Sequence, residues 1–580
     1  MRSEKETEPK PAPAGRRAIV RLVAAAVGLL VAIAAAFVVP PWLTALVPGW
    51  AWKRLTLGFL FALSAGYGLV LVLAVGGTAI FGLRVIRGRR KRRPRPLSAR
   101  LLALSVACLL GLIVLETSAA AWQARAHRMP RLPTRFQEGP AAARNETTIL
   151  VIGESSARGE PFDDWLSIGR IVAWQLERML PGRRFRVETW AKGGSNLEPM
   201  HQRLTELTRP PGAIFVYAGH NEFQARYPWS RTVPYYVEPG WQAWLKTLDE
   251  SVPKPPLARM ILETLDRHRL DLAPPRAVSR RLIDVPMCTP AEAEELRADF
   301  ERRLEAIAVY CERIGSLPIL VVPASNDAGF EPNRSVLAPN VPPSEHPTIA
   351  RGFSLARGME TFSPAESERR YRAFLNRHPG FAEAHFRLAR VLERFGNWDE
   401  ARTEYRRARD LDAMPQRCPT AFQEAYHQVA ARHRAVVLVD GPKVLEPIAP
   451  HGLFDDHLFH DAHHPTFLGY LALAQDLLNQ LRARKAFGWP EGAPAPVIDP
   501  AECAAHFGMK AKQWAAVCEH EKNWFSYEAY LRFDPVERLK KCQRYAVAVP
   551  RIEAGSPPDE AGVPGLGVRC EALRPAPRKE

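Results

Sequence analysis

The sequence predicts an α/β fold: a mainly parallel sheet covered by helices, preceded by three transmembrane helices and interrupted by a helical insertion. Short Val/Ile-rich runs alternate with stretches of helical periodicity after residue 146. Three long apolar stretches precede them, and the chain between the third and fifth runs is far too long for an ordinary crossover. With 580 residues, and roughly 150 per domain as the usual scale, several units are expected. Their boundaries read as an N-terminal cytoplasmic segment 1–18, a membrane domain 19–125, the first part of the α/β domain 140–330, and an insertion 331–433. The last part of the α/β domain, 434–485, and a C-terminal helical extension, 486–580, with four cysteines complete the chain.

The stretches 19–39, 55–83 and 101–122 are each long enough for a hydrocarbon core that needs about 20 helical residues. Between the second and third lie Arg87, Arg89, Arg90, Lys91, Arg92, Arg93 and Arg95, whereas the first connection carries only Lys53 and Arg54. An excess of Lys and Arg marks the cytoplasmic side. The N-terminus, with Arg16 and Arg17, is therefore inside, the third helix runs outward, and the chain after about residue 125 is outside. Trp42, Trp50, Trp52 and Trp122 suit the two interfaces. A signal peptide cleaved near Ala32 to Ala36 is the competing reading of the first stretch and leaves the exit side unchanged. The formal charge of +17 is then a topology signal, and no nucleic-acid partner is expected, because the flanking spans account for the basic run.

The first strand is expected at 148–152, running into a polar, glycine-containing turn and the amphipathic stretch WLSIGRIVAWQLERML. RRFRVETW, AIFVYAG, LPILVVPAS and AVVLVDG supply the second to fifth strands. One helix is well marked. Thr289, Pro290 and Glu292 form a capping box with proline at the first helical position, and Leu296, Phe300, Leu304, Ile307 and Cys311 form its apolar stripe.

Within the insertion, FAEAHFRLARVLERFGNWDEARTEYRRARDLD resembles one tetratricopeptide repeat, with Leu388, Ala389, Leu392, Gly396, Ala401, Tyr405 and Ala408 at the packing positions of a 34-residue helix pair. YRAFLNRHPG reads as a preceding helix. A single repeat cannot bury its own apolar face, so the hairpin is expected to pack on the α/β core; docking of a protein partner is the alternative. In the extension, Cys503, Cys518, Cys542 and Cys570 suit either two disulfides in an oxidising compartment or four separate thiols. Trp514, Trp524, Phe525, Tyr527 and Tyr530 indicate that this tail is folded.

Hydrolysis of an ester by serine needs a nucleophile, an imidazole base, a group that orients the base, and donors for the oxyanion. GESSARG follows the first strand and carries Ser155 to the carboxyl edge of the sheet; WAKGGSNL follows the second, with Gly193 and Gly194. YAGHNEF follows the third, with Gly219 and Asn221, and LFHDAHHPTFLGY contains Asp461, His464 and Pro465. These blocks, in this order over about residues 147–480, resemble the SGNH/GDSL hydrolase family. Gly153, Glu154, Ser155 and Gly159 match its GDS block, with Glu154 for the usual aspartate, and Glu222 also stands where aspartate is common.

The resemblance implies an SGNH-type hydrolase domain with catalytic Ser155, Asp461 and His464, and with Gly194 (or Gly193) and Asn221 as oxyanion donors. Ser156 and His463 are the rival residues; the paired glycines choose Ser155, and the Asp-to-His spacing with the following proline chooses His464. No cofactor and no metal are expected. His451, Asp455, Asp456, His457, His460 and His463 are the metal alternative, read instead as polar loop residues around the site. The function implied is a membrane-anchored serine esterase acting on a small-molecule, glycan or lipid ester, in a bacterial inner membrane with its catalytic domain on the periplasmic or extracellular side. An O-acyltransferase or deacetylase of envelope polysaccharide, and an inactive membrane-tethered assembly module, remain as alternatives.

Overall fold

The computed structural model describes residues 110–111, 113–121, 129–136, 146–162, 165–223, 256–257, 260, 281–284 and 286–569. The chain divides into two compact units, residues 1–127 with 253–274, and residues 128–252 with 275–580. In the first, residues 113–121 are helical and Ile113 and Val114 are exposed. The expected spans 19–39 and 55–83, and much of 101–122, lie outside the described residues. Among the described residues no helix is long and apolar enough to cross a membrane.

The second unit is built on a five-stranded, wholly parallel sheet of β1 (Glu146–Gly153), β2 (Arg184–Thr189), β3 (Ala213–Tyr217), β4 (Leu317–Val322) and β5 (Val437–Asp440), in the order β2-β1-β3-β4-β5. Strand side chains alternate in direction, and both faces of β1, β3 and β4 are covered, which is why those strands read as continuous apolar runs, whereas edge strand β2 is largely exposed or half-buried. Ile149, Val151, Phe215, Tyr217, Ile319 and Val321 face one layer, which contains α2 (Ile168–Met179) and α11 (Phe467–Ala483). Leu150, Ile152, Ile214, Val216, Leu320 and Val322 face the other, containing α3 (Leu197–Arg203), α4 (Pro290–Ile314) and α9 (Thr420–Arg432). The capping box of α4 is formed: Thr289 Oγ1 accepts from the Glu292 amide at 3.2 Å and Glu292 accepts from the Thr289 amide at 2.9 Å. Its stripe residues Phe300, Leu304 and Ile307 are fully buried, each contributing about 1.5–3 kcal/mol relative to exposure.

Between β4 and β5 the chain forms α5 (His346–Gly358), α6 (Pro364–Leu375), α7 (Ala382–Arg394) and α8 (Trp398–Asp410), which share one apolar cluster. Leu453, in the loop that leads to His464, belongs to that cluster too. Within the expected insertion 331–433, α9 does not share that cluster: it buries Phe422, Ala425, Tyr426 and Val429 against the sheet, as the crossover helix into β5.

The extension does not form a core of its own. In α12 (Pro500–His506), α13 (Ala511–Glu528) and α14 (Val536–Glu553), Cys503, Trp514, Cys518, Phe525, Tyr545 and Ile552 join the sheet's first layer. Cys503, Cys518 and Cys542 are free thiols, so no disulfide joins them; Cys570 lies outside the described residues. Burial pushes the Cys503 and Cys518 thiols up to about 12, as suits small apolar core side chains. The extension is also held by buried charge. Arg532 donates to both oxygens of Glu383 on α7, at 3.1 and 3.0 Å. Arg538 pairs with Glu528 at 3.0 Å and donates to the Glu331 carbonyl at 2.8 Å.

Candidate active site

Strand order reverses at β1 and β3, so the crevice outside their carboxyl ends is the topological switch point, where ligands bind in sheets of this kind. Gly153 ends β1 with φ 138°, and a Cβ there would lie 2.0 Å from the Tyr217 carbonyl oxygen, so only glycine lets the two strand ends close up. The chain then turns sharply into the short helix α1 (Ser155–Arg158), and the Gly159 amide donates to the Ser155 carbonyl at 2.9 Å. Tyr470 of α11 braces the turn, its one hydroxyl hydrogen shared between the Ser156 and Glu160 carbonyls at 3.1 and 2.8 Å.

Ser155 lies 2.7 Å through Oγ from His464 Nε2, and His464 Nδ1 lies 2.6 Å from Asp461 Oδ2. Asp461 Oδ1 accepts from the His463 and His464 amides at 2.9 and 2.8 Å, so both carboxylate oxygens are engaged and the imidazole is fixed from behind. Burial alone would raise Asp461; the neighbouring His464 and the amide donors hold it well below the usual carboxylate range. Burial alone would lower His464; the Asp461 carboxylate raises it above 6.5 instead. The rival serine is excluded by direction, since Ser156 Oγ faces the His463 carbonyl at 3.5 Å. The rival histidine is stacked on His220 with ring centroids 4.4 Å apart and is pushed down to about 3 by burial. His220 accepts from the Cys418 amide through Nδ1 at 3.1 Å, so that nitrogen carries no proton.

The two glutamates that depart from the family pattern lie behind the site. Glu154 Oε1 accepts from the Gly219 amide and from the His220 amide at 2.8 Å, tying the end of β1 to the end of β3. Burial, with Glu222 nearby, raises Glu154 well above its ordinary value. Glu222 accepts from the Leu197 amide at 2.9 Å at the start of α3, and burial pushes it up to about 7.

Ser155, His464, Gly194, Asn221, Glu160, Trp524 and Tyr527 share one cavity of about 650 Å3. Gly194 has φ 69°, as the turn after β2 requires. The expected polar loop is dispersed: Asp455 bonds His457 at 3.0 Å, His460 bonds Tyr545 at 3.2 Å, Asp456 pairs with Lys541, and the His451 ring lies on Trp398 at 3.8 Å. A different trio, Asp461, His464 and Glu521, offers ligand atoms within 4.8 Å of one another; both His464 nitrogens already serve Asp461 and Ser155. Sequence reasoning gave no role to Glu160, Lys192, Gln416, Glu521, Trp524 or Tyr527. The aromatic density of the tail was the only signal, and it carried no position.

A five-stranded parallel α/β fold with a Ser–His–Asp relay at its switch point is the class that fold and site define. Protein-family models, curated proteins and solved structures all give no match to the chain.

Proposed function

We propose that the chain is a membrane-anchored, extracytoplasmic serine esterase of the SGNH/GDSL type. The carrying observation is the unbroken sequence of contacts Ser155 Oγ to His464 Nε2 at 2.7 Å and His464 Nδ1 to Asp461 Oδ2 at 2.6 Å, opening on a cavity that also holds Gly194 and Asn221. His464 takes the Ser155 proton as Oγ attacks the ester carbonyl, and Asp461 stabilises the imidazolium. The Gly194 amide and the Asn221 side chain receive the oxyanion. The tetrahedral intermediate expels the alcohol, which takes the proton from His464. Water, deprotonated by the same imidazole, then frees the acid and regenerates Ser155. The anchoring and the outward orientation rest on the apolar stretches and the cationic loop of the sequence.

The test is turnover of p-nitrophenyl acetate by the full chain in detergent, with Ser155→Ala and His464→Ala beside wild type. Both variants are expected to lose about 10⁴-fold or more in kcat. A Ser155→Ala protein with wild-type turnover would remove the assignment.

A further inference from the structure

The cavity beside Ser155 has an unusual lining for an esterase pocket. Ligand sites are mostly apolar, with a few polar groups that fix orientation. Here, among the described residues that line it, none carries an aliphatic side chain. The wall farthest in sequence from Ser155 is aromatic: Trp524 and Tyr527 of α13, ring centroids 6.2 Å apart. Trp524 makes a T-shaped contact with the His464 ring, centroids 6.1 Å apart, so the indole stands beside the imidazole. The other walls are hydrogen-bonding groups, among them Asn221, Gln416, Arg158 and Lys192.

That lining discriminates between ester classes. A long acyl chain gains about 0.8 kcal/mol for each methylene it buries against apolar surface, and among the described lining residues such surface comes from the aromatic rings and the stems of Arg158 and Lys192. A polyhydroxylated ring has the opposite needs. Its hydroxyls lose water on entry and must find partners, which the amide and cationic side chains of the lining supply. Its C–H faces carry slight positive charge and match the negative faces of indole and phenol. At about 650 Å3 the cavity holds a ring-sized alcohol moiety as well as a short acyl group.

Resting on the serine-esterase reading, we infer that the substrate is a short-acyl ester of a carbohydrate, with the sugar ring laid against Trp524 and Tyr527 and the acyl carbonyl at Ser155. The C-terminal extension then supplies the subsite for the leaving alcohol, and α13 determines specificity without touching the bond that breaks.

The experiment uses the full chain in detergent and two measurements. Fluorophosphonate labelling of Ser155 tests the esterase reading. Steady-state kinetics on a 6-O-acetyl hexose, ethyl acetate and p-nitrophenyl decanoate tests the substrate class. The expected result is labelling, together with a kcat/KM for the sugar acetate at least tenfold above that for the decanoate. Trp524→Ala and, independently, the more exposed Tyr527→Ala are expected to lower the ratio of sugar acetate to ethyl acetate kcat/KM by about tenfold, mainly through KM. Labelling with a preference for the decanoate, or with an unmoved ratio in both variants, overturns the carbohydrate inference alone. Absence of labelling in folded protein overturns the esterase reading and the inference with it.

Discussion

The loops around Ser155 and the helices of the C-terminal extension meet in one cavity, yet different physics holds them there. The loops are ordered locally: Gly153 and Gly159 force the turn, and Asp461 reaches His464 across three residues. The extension is ordered by distant partners. Arg532 finds Glu383, 149 residues away in sequence, and Arg538 finds the Glu331 carbonyl 207 residues away. A site can therefore keep its chemistry in short motifs and its shape in long-range buried charge, and the two can be broken separately.

The largest expected effect breaks the local half. Asp461→Asn retains the size of the side chain but cannot stabilise imidazolium or hold its tautomer, and kcat should fall by about 10⁴-fold with little change in KM. Stability should change far less than rate. A variant within tenfold of wild type would show that Asp461 does not orient the base.

Breaking the distant half should do the reverse. Arg538→Ala leaves Glu528 buried without its cation; burial already holds Glu528 up at about 7 and Arg538 down at about 10. Removing one partner of such a pair costs about 3–5 kcal/mol. Urea unfolding should show that loss, while fluorophosphonate still labels the protein that remains folded. Unchanged stability would mean that the pair contributes nothing net.

Buried titratable groups of both regions combine in the pH dependence of stability. His201, His220, His460 and His463 are depressed by burial, to about 4 for the first and about 3 for the last two. Each stays neutral in the fold but binds a proton when unfolded below 6.5, so stability falls as pH drops. Glu154, Glu222, Glu521 and Glu528 are raised by burial. Each keeps a proton in the fold that it loses when unfolded above 4.5, so stability falls as pH rises. The two sets oppose one another between 4.5 and 6.5, and the melting temperature should peak in that window and decline on both sides. A melting temperature that climbs steadily to pH 8 would show that the glutamates are ionised in the fold.

Activity has its own, narrower dependence. Because Asp461 raises His464 above 6.5, the acid limb of kcat/KM should lie above pH 6.5, with activity lost as pH falls through it. A limb below 6.5 would mean that burial outweighs the carboxylate.

The same division explains what could be read in the sequence. β1, β3 and β4 are visible as apolar runs because both faces of the sheet are buried there, edge strand β2 shows only an alternating RFRVET, and the start of α4 is visible because its capping box is local. Ser155, His464 and Asp461 are visible because motif spacing sets their meeting. The passage from the inserted helices to the sheet's own is not legible in the sequence, because α9 has helical periodicity like its neighbours, and only the sheet beneath it separates the two. Nothing in the segment that carries Arg532 and Arg538 announces Glu383 or Glu331 as their partners.

The smallest effect sharpens the comparison most, because Glu521 lies where the two regions touch. It is fully buried on α13, and neither carboxyl oxygen makes a hydrogen bond. Asp461 and Glu160 face it with negative charge, and Tyr470, Tyr545, Cys518 and His520 are its other titratable neighbours. Burial and those carboxylates raise it well above its ordinary value, which favours its neutral form. Glu521→Gln then replaces one neutral group by another of the same shape, and kcat should stay within about threefold, roughly 0.6 kcal/mol of barrier. The acid limb should stay in place as well. Were Glu521 ionised, its loss would remove a negative charge near His464 and move the limb to lower pH. An unmoved limb makes α13 a wall of the site, whereas a shifted one makes it part of the electrostatics that set the base.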